Sequence, residues 1–200
     1  MTHLQSICVY CGSSFGTDPA YEAAATRLGQ VIAGAGLRLV YGGGNVGLMG
    51  TVARAALAEG GKVTGIIPTF LERREEMLDS LDELVVTQTM HERKHLMFEK
   101  SDAFVALPGG IGTLEEVVEM MTWAQLGRHA KPVCLADVNG FWSPLLDLLD
   151  HMRAQGFIRE STEVPYVVAK RIDDVIPLLT GACQDAGDDP RSTGLSLDQL

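Results

Sequence analysis

Residues 102 to 116 read Asp-Ala-Phe-Val-Ala-Leu-Pro-Gly-Gly-Ile-Gly-Thr-Leu-Glu-Glu, an apolar run of strand length that breaks at Pro108, crosses three glycines and is predicted to enter a helix at Thr113. Such a turn suits an anion. Without Cβ atoms its backbone N–H groups can close on a ligand, and the helix start adds unpaired donors and a partial positive charge fit for a phosphate. Glu115 and Glu116 stand in the same first turn. Two readings compete for them: Thr113-Leu-Glu-Glu116 has the form of a capping box, with Glu116 bonded back to the Thr113 N–H, whereas a carboxylate between a phosphate cradle and a covered face is placed for chemistry. At 100° per residue Leu114, Val117, Val118 and Met121 form a core-facing stripe. Glu116, Met120 and Trp123 lie opposite, on a second face that also carries apolar residues and is expected to be covered.

A second cluster precedes the first. In Met90-His-Glu-Arg-Lys-His-Leu-Met97 the two methionines share a helical face and Arg93 and Lys94 flank it, so two cations sit on an inward-leaning edge. Snorkelling stems would explain one of them. Two adjacent cations leading into an anion cradle fit a phosphorylated substrate better. His91, His95 and His129 read as surface or hydrogen-bonding residues, and no spaced histidine and carboxylate set calls for a metal. Glu75 belongs to the charge run Leu71-Glu-Arg-Arg-Glu-Glu76, whose default meaning is a solvated helix face.

Gly42-Gly-Gly-Asn-Val-Gly47 satisfies G-x-G-x-x-G between an expected strand and an expected helix, which raises a dinucleotide fingerprint. The next strand ends Gly65-Ile-Ile-Pro-Thr69 without the acid that would hold a ribose, so that reading loses its support. A Walker A loop fails for want of Gly-Lys followed by Ser or Thr. Either tight strand-to-helix packing or ligand contact explains Gly42 to Gly50, and three consecutive glycines favour contact. Cys8-Val-Tyr-Cys11 has the spacing of a redox or zinc half-site, yet no second pair exists and the motif ends a strand, so Cys8, Cys11, Cys134 and Cys183 are expected to be buried thiols.

The elements that must position these residues alternate along the chain. Strand-length apolar runs fall at 6–10, 37–41, 62–67, 83–87, 103–107, 132–136 and 164–169, and helical patterns at 18–35, 46–59, 89–100, 113–126, 142–155 and 172–180, with a weaker one at 70–79. Strands apolar on both faces and separated by helices predict an α/β fold, a Rossmann-like doubly wound parallel sheet with helices on both faces. Ligands of such sheets sit outside the carboxyl ends of the strands, where Cys11-Gly-Ser-Ser14, Gly42 to Gly50 and the Pro108 turn are all rich in small residues. With 200 residues, 46% of them hydrophobic, one domain is expected over 1–184, and the acidic stretch 185–200 is expected to be a flexible tail. No run of about 18 apolar residues and no basic, cleavable leader is present, so a cytoplasmic protein is expected. A net charge of −10 with no long basic block disfavours nucleic acid and anionic membranes as partners.

Together, Met90-His-Glu-Arg-Lys94 with Met97, Pro108-Gly-Gly-Ile-Gly-Thr-Leu-Glu-Glu116 and Thr122-Trp-Ala-Gln-Leu126 resemble the LOG (Lonely Guy) family of cytokinin-activating phosphoribohydrolases. Cys11 to Ser14, Tyr41 to Gly44 and Gly47 to Gly50 extend the resemblance over roughly residues 6 to 180. Ile111 replaces an aromatic residue common in plant members. The resemblance implies hydrolysis of the N-glycosidic bond of a nucleoside 5′-monophosphate, typically an N6-modified AMP, to free base and ribose 5-phosphate, with no cofactor or metal. It implies Arg93 and Glu116 as the catalytic pair, with Lys94, Gly109, Gly110, Ile111, Gly112 and Thr113 around the ribose phosphate. Ser13, Gly43, Gly44, Met49, Glu75, Leu114, Glu115 and Thr122 are implied as further substrate contacts, and a homodimer with sites near its interface is expected. Three rivals stand beside it: a pyridoxal-phosphate lysine decarboxylase, a label carried by sequences of this family; a non-enzymatic nucleotide sensor with Glu116 only a cap; and a broader nucleotide nucleosidase.

Overall fold

The computed structural model describes residues 4–72, 78, 80–159 and 163–188. Seven strands, β1 (Ser6–Tyr10), β2 (Arg38–Tyr41), β3 (Lys62–Pro68), β4 (Glu83–Thr87), β5 (Ala103–Ala106), β6 (Val133–Ala136) and β7 (Val167–Ala169), form one sheet in the order β4-β3-β2-β1-β5-β6-β7. Every pairing is parallel. The helices are α1 (Pro19–Gly34), α2 (Gly47–Ala58), α3 (Thr69–Glu72), α4 (Met90–Glu99), α5 (Ile111–Gln125), α6 (Ser143–Ala154) and α7 (Val175–Asp188).

Alternation along each strand divides the core in two. Ile7, Val9, Leu39, Tyr41 and Val105 pack against α1, α2 and α7, whereas Cys8, Tyr10, Val40, Phe104 and Leu135 pack against α4, α5 and α6. The doubly wound expectation therefore holds, and the order in which strands are added reverses between β1 and β5, which makes their carboxyl ends the crevice of the sheet. Cys8 and Cys11 belong to opposite layers and cannot close on one ion; burial raises both thiols, as it does Cys134, pushed up to about 12. Among the described residues no helix is long and apolar enough to cross a membrane.

Several boundaries move. Helix α5 begins at Ile111, with Gly110 at the cap position and no side-chain cap, so Thr113 is inside the first turn and Glu116 is not half of a capping box. Val118, expected in the core, is 40% exposed, and Met120, expected on the opposite face, is buried beside Val117 and Met121. At about 100° per residue the buried Thr113, Val117, Met120 and Met121 span about 100° of the helix and Val118 lies about 60° beyond one edge, so the face that meets the sheet is rotated toward Met120. The last helix starts with a tight turn at Ile172–Asp174 and runs to Asp188, so the first four residues of the expected tail are helical. Helix α3, Thr69–Glu72, stands at the start of the weak helix expected at 70–79; residues 73–77, Glu75 among them, lie outside the described residues.

Candidate active site

Three turns meet at the crevice. The Gly12 N–H donates to the Pro108 carbonyl at 3.0 Å and the Leu48 N–H donates to the Gly12 carbonyl at 3.1 Å, which ties the turn after β1 to those after β5 and β2. Their glycines allow that approach: a Cβ on Gly109 would lie 2.2 Å from Thr113 Oγ1 and 2.9 Å from the Gly12 nitrogen, and one on Gly47 would meet the Ser13 and Ser14 backbone at 2.4 Å. Gly110 and Gly112 differ, since a Cβ there would meet nothing within 4 Å. They border open space at the first turn of α5, where backbone donors are left without helical partners.

Arg93 is delivered from the side by α4. Thr89 accepts from the Glu92 N–H at 3.1 Å and Glu92 accepts from the Gln88 N–H at 2.8 Å, a reciprocal cap that fixes the helix start four residues before the arginine. The guanidinium is held on three sides: Nε donates to the Ile66 carbonyl at 3.1 Å, Nη2 to the Gly42 carbonyl at 3.3 Å and Nη1 to Glu116 Oε1 at 3.4 Å. Only 8% of Arg93 is exposed. Gly42 is what makes room for it, because a Cβ there would stand 2.0 Å from Nη2. Reading the glycine run as ligand contact missed this role; the signal available was an inward arginine needing a notch.

Glu116 meets Arg93 from α5. Burial pushes its pKa up to about 6; Arg93 and Lys94 pull it down, and Glu115 and Glu119 oppose them. Lys94 does not reach for the cradle. Its Nζ donates to Glu115 Oε1 at 2.6 Å and to Glu119 Oε1 at 3.0 Å. Burial opposes its charge, but the bonds to those carboxylates prevail and raise its pKa. Glu119 was not foreseen, although its spacing of four from Glu115 and three from Glu116 puts it on the same flank of the helix.

The other foreseen residues fall into three groups. Ser13, whose backbone lies against Gly47, is exposed, as are Gly110, Ile111 and Gly112 at the start of α5, while Thr113 is buried. Gly43 and Gly44 are buried after β2; Gly43, at φ +84°, packs against Ile67, and Met49 Sδ lies beside the position of a Gly42 Cβ. Leu114 packs against the core, Glu115 is engaged by Lys94, and Thr122 stands apart. It is about 9 Å further along α5 than Glu116 and donates to the Val118 carbonyl at 2.7 Å.

The chain is similar to known proteins over most of its length. A family model described as "Possible lysine decarboxylase" matches residues 49–179. The probable cytokinin riboside 5′-monophosphate phosphoribohydrolase LOGL1 of Oryza sativa subsp. japonica is 50% identical over 153 residues, 76% of this chain and 69% of that protein. The cytokinin riboside 5′-monophosphate phosphoribohydrolase of Rhodococcoides fascians is 46% identical over 173 residues, 86% of this chain and 87% of that protein. Among solved structures, the molybdenum cofactor carrier protein of Chlamydomonas reinhardtii superposes with a TM-score of 0.70 at 22% identity over 92% of this chain and 99% of its own, a likeness of fold. With a buried arginine facing a glutamate above a glycine-lined helix start, and relatives this similar over most of the chain, the protein belongs to the LOG family of cytokinin riboside 5′-monophosphate phosphoribohydrolases.

Proposed function

We propose that this chain hydrolyses the N-glycosidic bond of N6-modified adenosine 5′-monophosphates, and of AMP itself, to free base and ribose 5-phosphate. The contact that carries this reading is Glu116 against Arg93 at 3.4 Å, beside the unobstructed start of α5. The 5′-phosphate sits on the N–H groups of Gly110 to Thr113. As the C1′–N9 bond lengthens, positive charge grows on the ribose and negative charge on the purine; the Glu116 carboxylate stabilises the first and the Arg93 cation the second. Water adds through its oxygen to C1′, Glu116 takes the proton the water loses, and the bonding pair leaves with the base. Guanidinium groups do not give up a proton in proteins, so the proton that the departing base needs returns from Glu116, and a pKa of about 6 suits a group that must accept and then donate.

Lysine decarboxylation fits these residues poorly. A Schiff base starts from a neutral amine, and Lys94 is held as an ammonium by two carboxylates. A panel of nucleoside monophosphates with chromatographic detection of free base tests the proposal. AMP and its N6-substituted forms are expected to release base and the matching nucleosides are not; equal turnover of nucleosides would leave the cradle without a purpose, and tight binding without release would favour a sensor.

A homodimer belongs to the same reading. Ile111, Val118 and Leu126 are 82, 40 and 67% exposed and fall within about 80° on one flank of α5, which they share with Glu115 and Thr122; these exposed apolar residues start at the cradle, and a second copy would cover them.

A further inference from the structure

We propose that Glu119 is a positioning residue of this site: its carboxylate and the Lys94 ammonium it holds form a pair of opposite charges that sets the charge balance around Glu116. The inference rests on the hydrolase reading above. The two carboxylates that hold Lys94 are not equivalent. Glu115 has 55% of its side chain exposed, so its pair is screened by solvent, whereas Glu119 and Lys94 expose 24 and 18%. Glu119 also has one oxygen, Oε2, buried with no hydrogen-bond partner among the described residues. A carboxylate in that position is costly unless a cation offsets it, and Lys94 on the other oxygen is that cation. Each therefore holds the other in place, one turn of helix from the group that moves the proton.

Charge near Glu116 comes from three elements. Helix α4 supplies Arg93 and Lys94, α5 supplies Glu115 and Glu119, and β1 with the residue that follows it supplies Cys8, Tyr10 and Cys11. Burial raises the two thiols and the phenol, so they stay neutral over an ordinary assay range. What remains to bias Glu116 is the balance of two cations against two carboxylates, and the Lys94–Glu119 pair joins one member of each. Glu119 stands three residues from Glu116, about 5 to 6 Å between Cβ atoms. A unit charge at that distance moves a carboxylate by about half a unit to two units of pH, depending on how far solvent screens it.

The test uses Glu119→Gln and Lys94→Met in the full chain, with two readouts: the pH dependence of base release from AMP and the carbon-13 titration of the Glu116 carboxyl. Glu119→Gln removes a negative charge, so Glu116 should titrate lower and the acid limb of the rate profile should move down. Lys94→Met removes a positive one and should move both up. Loosened packing would lower turnover in both variants without displacing their titrations in opposite directions. Glu119→Asp, which keeps the charge, should restore the wild-type limb even where its turnover is reduced. Glu116 titrating alike in wild type, Glu119→Gln and Lys94→Met would overturn the proposal while leaving hydrolysis intact. A wild-type chain that releases no base would instead defeat the hydrolase reading, and the proposal with it.

Discussion

Replacing Gly42 with alanine should separate activity from stability, because one added methyl group lands on Arg93, the cation of the proposed site, and on little else. The Cβ would stand 2.0 Å from Arg93 Nη2 and 3.3 Å from Cζ, with Met49 Sδ next at 3.4 Å. Ordinary contact begins near 3.4 Å, so the guanidinium must retreat by about 1.4 Å, the difference between 3.4 and 2.0. Gly42 does not have a positive φ, so alanine is free of backbone strain there. That retreat stretches the bonds to the Gly42 and Ile66 carbonyls and to Glu116 together. Displacement of a reacting group by about 1 Å costs on the order of 10² in rate, whereas weakening one or two buried hydrogen bonds from a charged group costs about 1 to 3 kcal/mol of stability. Withdrawal of Arg93 also removes an influence that lowers the Glu116 pKa, so the acid limb should climb above pH 6. Base release from AMP, followed by chromatography between pH 5 and 9, reads the first effect, and urea unfolding reads the second. A folded Gly42→Ala protein with kcat/KM within about threefold of wild type would refute the placement of Arg93 in the chemistry.

Other substitutions probe separate parts of the site. Gly110→Ala, whose Cβ meets no atom within 4 Å, should leave stability nearly unchanged and raise KM for nucleotides if the phosphate occupies that space; unchanged KM would argue against the cradle. Glu116→Gln should lower turnover by about 10² to 10⁴. Because the folded pKa of Glu116 is raised to about 6, the native chain binds more protons than the unfolded chain between the ordinary carboxylate range and pH 6. The stability this contributes is therefore full in acid and lost as pH rises through about 6, on the order of 2 kcal/mol. Glu116→Gln should accordingly compare better with wild type in urea at pH 8 than at pH 5, and the reverse order would contradict the sign. Val118→Asp with Leu126→Asp should convert a dimer to monomers in sedimentation, and a wild-type chain that already sediments as a monomer would remove the partner from the account.

Much of the architecture was legible because it rests on local pattern. Runs such as Ile7 to Tyr10 and Ala103 to Ala106 are apolar on both faces, which only a covered parallel strand accommodates, and all seven strands lie within a few residues of where those runs fall. Helix ends were less legible. The Thr113 to Glu116 spacing obeys the rule for a cap, yet Gly110 starts the helix and Arg93 takes the glutamate, because a buried guanidinium competes for a carboxylate more strongly than a backbone N–H does. Lys94 shows the same limit. Adjacent to an arginine and upstream of an anion cradle it reads as a phosphate contact, and the fold gives it two carboxylates from another helix instead.

Residue types and spacing by themselves determined the α/β class, the crevice at the strand ends and the glycine-lined helix start, since each follows from periodicity or from a short segment's own chemistry; the pairing of Arg93 with Glu116 rested on the resemblance of their motifs to the LOG family. Only the tertiary structure decided which glycines face open space and which receive a neighbour, which carboxylate holds Lys94, and that Gly42 is the notch for Arg93. Those are contacts between segments 21 to 51 residues apart in the chain, and no local preference encodes how closely two such segments approach once the sheet has brought them together.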